Sequence, residues 1–213
     1  MKLVTASLER GFFATTRPFT AWLIRRGVRP NNITTVGAAV VVASAVAMGF
    51  GMLRTGAGLL LFSGVVDTFD GQVARETGQT SVFGAFYDST LDRMGDGVTF
   101  MGIGAWFLTA PDVAAPVFGA MMCMAAILAS TLVSYARARA EGLGLECKVG
   151  LVQRAERLLG IGVPVLFFGG GPQGLLLHVL VALLALGSMI TVVQRFVYVH
   201  QITREAGVRR PAT

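Results

Sequence analysis

The segment Asp67-Thr68-Phe69-Asp70-Gly71-Gln72-Val73-Ala74-Arg75 is followed, eight residues later, by Gly84-Ala85-Phe86-Tyr87-Asp88-Ser89-Thr90-Leu91-Asp92. Five of the chain's six aspartates lie between positions 67 and 96. Asp67 and Asp70 are three apart, and Asp88 and Asp92 are four apart, so each pair projects from one face of a helix. The surroundings are apolar. Of 213 residues, 54% are hydrophobic and 14% charged, where a soluble domain carries roughly 25% charged residues. This excludes disordered, collagen-like and disulfide-rich secreted chains. It leaves an all-α, polytopic membrane protein, because apolar runs of about 20 residues recur through the sequence.

Six runs are candidate transmembrane helices, at 33–53, 57–76, 82–109, 114–136, 157–170 and 174–199. Their connections are short, except for a polar, basic loop from Arg137 to Arg157. The expected organisation is a juxtamembrane segment over 1–30, a six-helix membrane domain over 31–200 and a cytoplasmic tail over 201–213. Lys2, Arg10, Arg17, Arg25, Arg26 and Arg29 alternate with Leu3, Phe12, Phe19 and Trp22. That mixture leaves no apolar core of signal-peptide type and predicts an amphipathic helix lying in the membrane interface.

Basic residues set the orientation. With a cytoplasmic N-terminus, the inner side also collects Arg75, Arg137, Arg139, Lys148, Arg154, Arg157, Arg204, Arg209 and Arg210, and the outer loops hold only Arg54. The positive-inside rule therefore places both termini, and the aspartates with them, at the cytoplasmic face of the cell membrane. The net charge of +6 reflects orientation and lipid-phosphate contact, not a nucleic-acid partner. Cys123 and Cys147 offer no metal-ligand spacing and no disulfide framework. The 27 glycines suit close helix packing. No internal repeat supports an inverted-repeat transporter.

An aspartate at the centre of a membrane helix costs about 2.5–3.5 kcal/mol. Four such residues need a compensating partner, and the segment holds too few arginines to form a closed salt-bridge network. The short 76–81 connection predicts that the second and third spans are antiparallel neighbours whose carboxylate pairs face each other. Clustered carboxylates suit hard cations such as Mg²⁺ or Mn²⁺, and two such ions would clamp a diphosphate. Asp96 continues the Asp88–Asp92 face, with Arg93 or a metal ligand as its candidate partner. Arg157 has Glu156 and Glu141 as candidates. His178 and His200 read as boundary residues.

Written as a pattern, the stretch is Asp67-x2-Asp70-Gly71-x2-Ala74-Arg75-x8-Gly84-x3-Asp88-x3-Asp92, which resembles the motif of the CDP-alcohol phosphotransferase family. The resemblance spans essentially the whole chain. It implies that Asp67, Asp70, Asp88 and Asp92 bind two Mg²⁺ or Mn²⁺ ions, with Asp92 also the catalytic base. It further implies that Asn31, Asn32, Ile33, Thr34, Gly71, Arg75 and Ser81 contact the CDP-lipid. Ser134 to Glu141 and Gln153 to Arg157 resemble the prokaryotic phosphatidylinositol-phosphate synthase branch. There the substrates are CDP-diacylglycerol and a small phosphorylated alcohol, inositol 1-phosphate, and Arg137, Arg154 and Arg195 match the acceptor site. Family members tend to be homodimers. Ala155 and Thr68-Phe69 depart from residues common in that branch, proline and Met-Leu, and leave another acceptor such as glycerol 3-phosphate open. The alternatives from other classes are a membrane prenyltransferase and a divalent-cation transporter.

Overall fold

The computed structural model describes residues 16–205 and contains no strand among them. Residues 16–25 form the described part of helix α1. Then come α2 (Pro30–Gly49), α3 (Leu53–Glu76), α4 (Val82–Thr109), α5 (Pro116–Gly142), α6 (Arg154–Phe168) and α7 (Leu175–Glu205). The part of the expected interfacial segment before residue 16, and the tail after 205, lie outside the described residues. Six runs of the sequence thus become six long helices, with small shifts at their ends. α2 begins at Pro30 rather than Ile33 because proline is accommodated at the first helical position. α6 begins at Arg154 rather than Arg157 because Gln153 and Glu156 form a reciprocal capping box, with the Gln153 N–H donating to Glu156 Oε2 at 3.0 Å.

The helices close a ring. α2 packs on both α3 and α4, α3 on α6, α6 on α7, α7 on α5, and α5 on α4. The expected direct packing of α3 against α4 is corrected here: the two scarcely meet, because α2 lies along both. α1 lies across α3, where Thr20 Oγ1 donates to Gln72 Oε1 at 2.8 Å and Phe19 meets the edge of Phe69. Leu23, Ile33, Phe69 and Val73 are buried together beneath it.

The larger core fills the half of the ring remote from the aspartates, with Met48, Leu53, Phe100, Ile103, Phe107, Ile161 and Leu177 in one cluster. The outward faces are also apolar, as at Met121, Met124 and Leu128 on α5 and Leu183, Leu186 and Ile190 on α7. A chain that is apolar inside and outside matches a lipid environment. Pro30–Gly49, Pro116–Gly142 and Pro172–Arg204 are long and apolar enough to cross a membrane. α3 and α4 are longer than α2, at 24 and 28 residues, but they carry the carboxylates. α6 has 15 residues with Pro164 inside.

In lipid, helices associate through close packing rather than hydrophobic burial. Gly102 is where α4 meets α2: a Cβ there would lie 2.2 Å from the Ala45 carbonyl oxygen. Gly102→Val should therefore destabilise the fold by at least ~1–3 kcal/mol, as overpacking does. Gly97→Val, with nothing within 4 Å of the added Cβ, should leave the thermal midpoint in detergent unchanged. Equal midpoints for the two variants would remove this contact from the account of ring stability.

Candidate active site

The site forms where the C-terminal half of α3 meets the first turns of α2, α4 and α6. Asp67 and Asp70 come from α3 and Asp88 from α4, and one carboxylate oxygen of each lies within 4.8 Å of the others. Thr34 Oγ1 on α2 donates to Asp70 Oδ2 at 2.7 Å and fixes that carboxylate. Asp70 is only 8% exposed. Asp88 Oδ1 is buried without a hydrogen-bond partner. A buried orphan oxygen beside two further carboxylates is the donor set of a hard divalent cation, with oxygen ligands throughout. The residues present fit such an ion.

Asp92 stands outside this trio. Its Oδ1 forms an ion pair with Arg154 Nη2 at 2.8 Å, and its Oδ2 lies 3.3 Å from Arg93 Nη2. The same Arg154 donates through Nη1 to Asp67 Oδ2 at 2.6 Å. One guanidinium thus spans two carboxylates on different helices, using the fork geometry that lysine lacks. Its position is set by the α6 capping box, which makes it the first residue of that helix.

Beside the trio lies a cleft of about 180 Å³. Asn31, Thr34, Gly71, Arg75 and Ser81 line it, as do Gln79 and Thr80. Two helix N-termini, those of α2 and α4, open onto it. Each brings a positive dipole end, suited to an anion. The motif's glycines leave room for the polar side chains beside them. A Cβ on Gly71 would lie 3.1 Å from Arg75 Nη1, and one on Gly84 would lie 3.0 Å from Ser81 Oγ. Ser81 also caps α4 by accepting from the Gly84 N–H at 2.9 Å.

Of the seven residues expected at the CDP-lipid, two are placed elsewhere. Ile33 is buried in the apolar cluster beneath α1, and Asn32 is exposed and does not line the cleft. The helical repeat explains this, since Asn31 and Thr34 share a face of α2 that Asn32 and Ile33 do not. Gln79 and Thr80 were missed because they sit in a connection with no periodic pattern. Of the three acceptor arginines, only Arg154 is at the carboxylates. Arg137 pairs with Glu141 at 2.8 Å. Arg195, 2% exposed, donates to the backbone carbonyls of Val133 and Val149. Arg195 lies within electrostatic reach of Arg137 and Arg157.

Two expected pairings are corrected. Arg157 pairs with neither Glu156 nor Glu141, and Asp96 does not pair with Arg93: Arg157 Nη2 donates to Asp96 Oδ2 at 2.6 Å. The partners are 61 residues apart in the chain, beyond the reach of local spacing rules. At the opposite end of the ring, His178 packs on Phe107 and Phe118 and its Nδ1 is 3.0 Å from the Gly174 carbonyl.

The chain matches the family model described as CDP-alcohol phosphatidyltransferase over residues 28–193. It is 39% identical to a phosphatidylinositol phosphate synthase of Streptomyces avermitilis, an alignment covering 96% of this chain and 86% of that protein. It is 39% identical to the archaetidylinositol phosphate synthase of Methanothermobacter thermautotrophicus, covering 79% and 82%. The crystal structure of the Mycobacterium tuberculosis phosphatidylinositol phosphate synthase PgsA1 with CDP-DAG bound is similar with a TM-score of 0.78 and 34% identity, over 93% of this chain and 98% of that one. The same enzyme in complex with manganese and citrate gives a TM-score of 0.77 at 35% identity, over 87% and 88%.

Proposed function

Since the chain belongs to the CDP-alcohol phosphatidyltransferase family, we propose that it transfers a phosphatidyl group from CDP-diacylglycerol to inositol 1-phosphate, releasing CMP. The observation that carries this proposal is the meeting of the Asp67–Asp70–Asp88 trio with Arg154 beside the Arg75 cleft. One half suits a diphosphate and the other supplies a base and a cation for a phosphorylated alcohol. The names of both relatives carry inositol phosphate and differ in the lipid, which favours this acceptor over glycerol 3-phosphate. With the family shown, the prenyltransferase and cation-transporter alternatives are set aside.

Asp67, Asp70, Asp88 and Asp92 would hold two divalent ions, Mg²⁺ or Mn²⁺. When bound, such ions supply charge neutralisation of the diphosphate and the departing CMP. The chain's own residues do the rest. The cleft around Gly71, Arg75 and Ser81 seats the CDP, and Arg137, Arg154 and Arg195 hold the acceptor phosphate. Asp92 takes the acceptor hydroxyl proton. The freed oxygen bonds to the lipid-bearing phosphorus, the bond from that phosphorus to CMP breaks, and CMP leaves. The chemistry is positioning and electrostatics, as in other phosphoryl transfers.

In the same proposal α2 to α7 form one domain that crosses the membrane six times, with residues before 31 at the interface and those after 200 in the cytoplasm. α2, α4 and α6 start, and α3, α5 and α7 end, on the side of the aspartates. Arg25, Arg29, Arg75, Arg137, Arg139 and Lys148 are at that end, and Arg54 is at the other, so the positive-inside rule makes it cytoplasmic. The homodimer implied by the family completes the proposal.

Purified protein with CDP-diacylglycerol and Mn²⁺ is expected to release CMP with inositol 1-phosphate, and not with glycerol 3-phosphate, serine or free inositol. A chelator should abolish release, and added Mg²⁺ or Mn²⁺ should restore it. Release with glycerol 3-phosphate alone would keep the aspartate chemistry and overturn the acceptor. Release that survives chelation would overturn the cation role of the trio.

A further inference from the structure

Asp96 and Arg157 lie outside the Asp67–Asp92 motif, yet they form the most buried ion pair among the described residues. Their side chains are 14% and 4% exposed. α6 packs on α3 and α7 and scarcely meets α4. Two arginines one turn apart on α6 nevertheless reach across to two aspartates one turn apart on α4. Arg154 meets Asp92 at 2.8 Å, and Arg157 meets Asp96 at 2.6 Å. The two bridges are in register, like adjacent rungs.

Arg157 depends on its rung. Its Nε and Nη1 are buried and without hydrogen-bond partners. The small cavity of about 20 Å³ that it borders is walled by Val41, Leu60, Phe100, Leu158 and Ile161, with Thr99 and Arg154 as further polar neighbours. A buried guanidinium without its carboxylate is strongly unfavourable and shifts toward the next anion within reach. On α4 that anion is Asp92, one turn away, which is already paired with Arg154.

We propose that Asp96 is a positioning residue for the transfer reaction: by holding Arg157, it sets the register in which α6 presents Arg154 to Asp67 and Asp92. Asp96 touches no substrate in this scheme. It keeps Asp92 reserved for Arg154 and fixes the first turn of α6, to which the capping box contributes from the other side. The inference rests on the transferase function proposed for the site.

The test compares wild type with Asp96→Asn and Asp96→Glu. Wild type is first assayed with CDP-diacylglycerol and either inositol 1-phosphate or glycerol 3-phosphate, and whichever releases CMP is used for the variants. Asp96→Asn is expected to raise the acceptor KM at least ~10-fold, with the CDP-diacylglycerol KM within ~2-fold of wild type. Asp96→Glu, which restores the charge, should recover most of that loss. Hydrogen exchange over residues 155–160 should be faster in Asp96→Asn and near wild type in Asp96→Glu. Unchanged acceptor KM, equal rises for both substrates, or unchanged exchange would each overturn the proposal. If Asp96→Asn does not fold, the pair Asp96→Leu with Arg157→Met removes both charges and leaves none unpaired, and the same rise in acceptor KM is expected of it. If wild type releases CMP with neither acceptor, the transferase function fails, and the exchange measurement alone decides whether Asp96 sets the register of α6.

Discussion

Asp92→Asn should lower CMP release by about 10³-fold or more, near 4 kcal/mol of transition-state stabilisation, while CDP-diacylglycerol binding stays within about tenfold of wild type. The separation follows from where Asp92 lies. It is not one of the three carboxylates that share a 4.8 Å neighbourhood, so its loss leaves that trio intact. Its oxygens face Arg154 and Arg93, on the side where a phosphorylated acceptor would be held. A positioned general base contributes about 10²–10⁴-fold, and asparagine keeps the shape while removing the basicity. The fold should tolerate the change, because Arg154 retains Asp67 as an ion partner at 2.6 Å. Calorimetric titration with CDP-diacylglycerol in detergent, alongside a CMP-release assay, makes the comparison. Parallel loss of binding and turnover would assign Asp92 to cation binding alone.

That distinction among four similar aspartates marks the limit of what the sequence discloses. Helical periodicity placed Asp67 with Asp70 and Asp88 with Asp92, and both pairs do face the same end of the bundle. The cost of a carboxylate in lipid also called for a compensating ligand, and Asp88 Oδ1 is the carboxylate oxygen that stays buried without a hydrogen-bond partner. Spacing could not disclose that α2 would lie along both α3 and α4. With α2 in that place, Thr34 becomes the donor that orients Asp70 rather than a residue free for nucleotide alone. The partner of Asp96 was hidden for the same reason, since contacts between α4 and α6 follow from ring closure and have no local signature. Asn31 and Thr34 could be separated from Asn32 and Ile33 only once the exposed and buried faces of α2 were known.

Arg154→Gln is expected to divide the two halves of the site. In the structure Nη1 and Nη2 of Arg154 are committed to Asp67 and Asp92, and Asp67 Oδ2 cannot serve both this guanidinium and a cation at full strength. Removing the guanidinium therefore leaves the carboxylates more negative, and Mn²⁺ affinity measured by calorimetry should hold or rise. The acceptor should suffer the opposite effect. Truncating one partner of a desolvated charge pair costs about 2–5 kcal/mol, so kcat/KM for inositol 1-phosphate should fall by at least ~30-fold. The arginine is 27% exposed, which favours the lower half of that range. Arg154→Lys should lie between, because it keeps the charge but loses the two-pronged geometry that spans α3 and α4. Joint loss of Mn²⁺ binding and acceptor use in Arg154→Gln would show that the arginine builds the carboxylate cluster rather than reading the acceptor. An unchanged acceptor KM would leave Arg137 and Arg195 as its sole ligands, and these would then have to give up Glu141 and the Val133 and Val149 carbonyls to reach it.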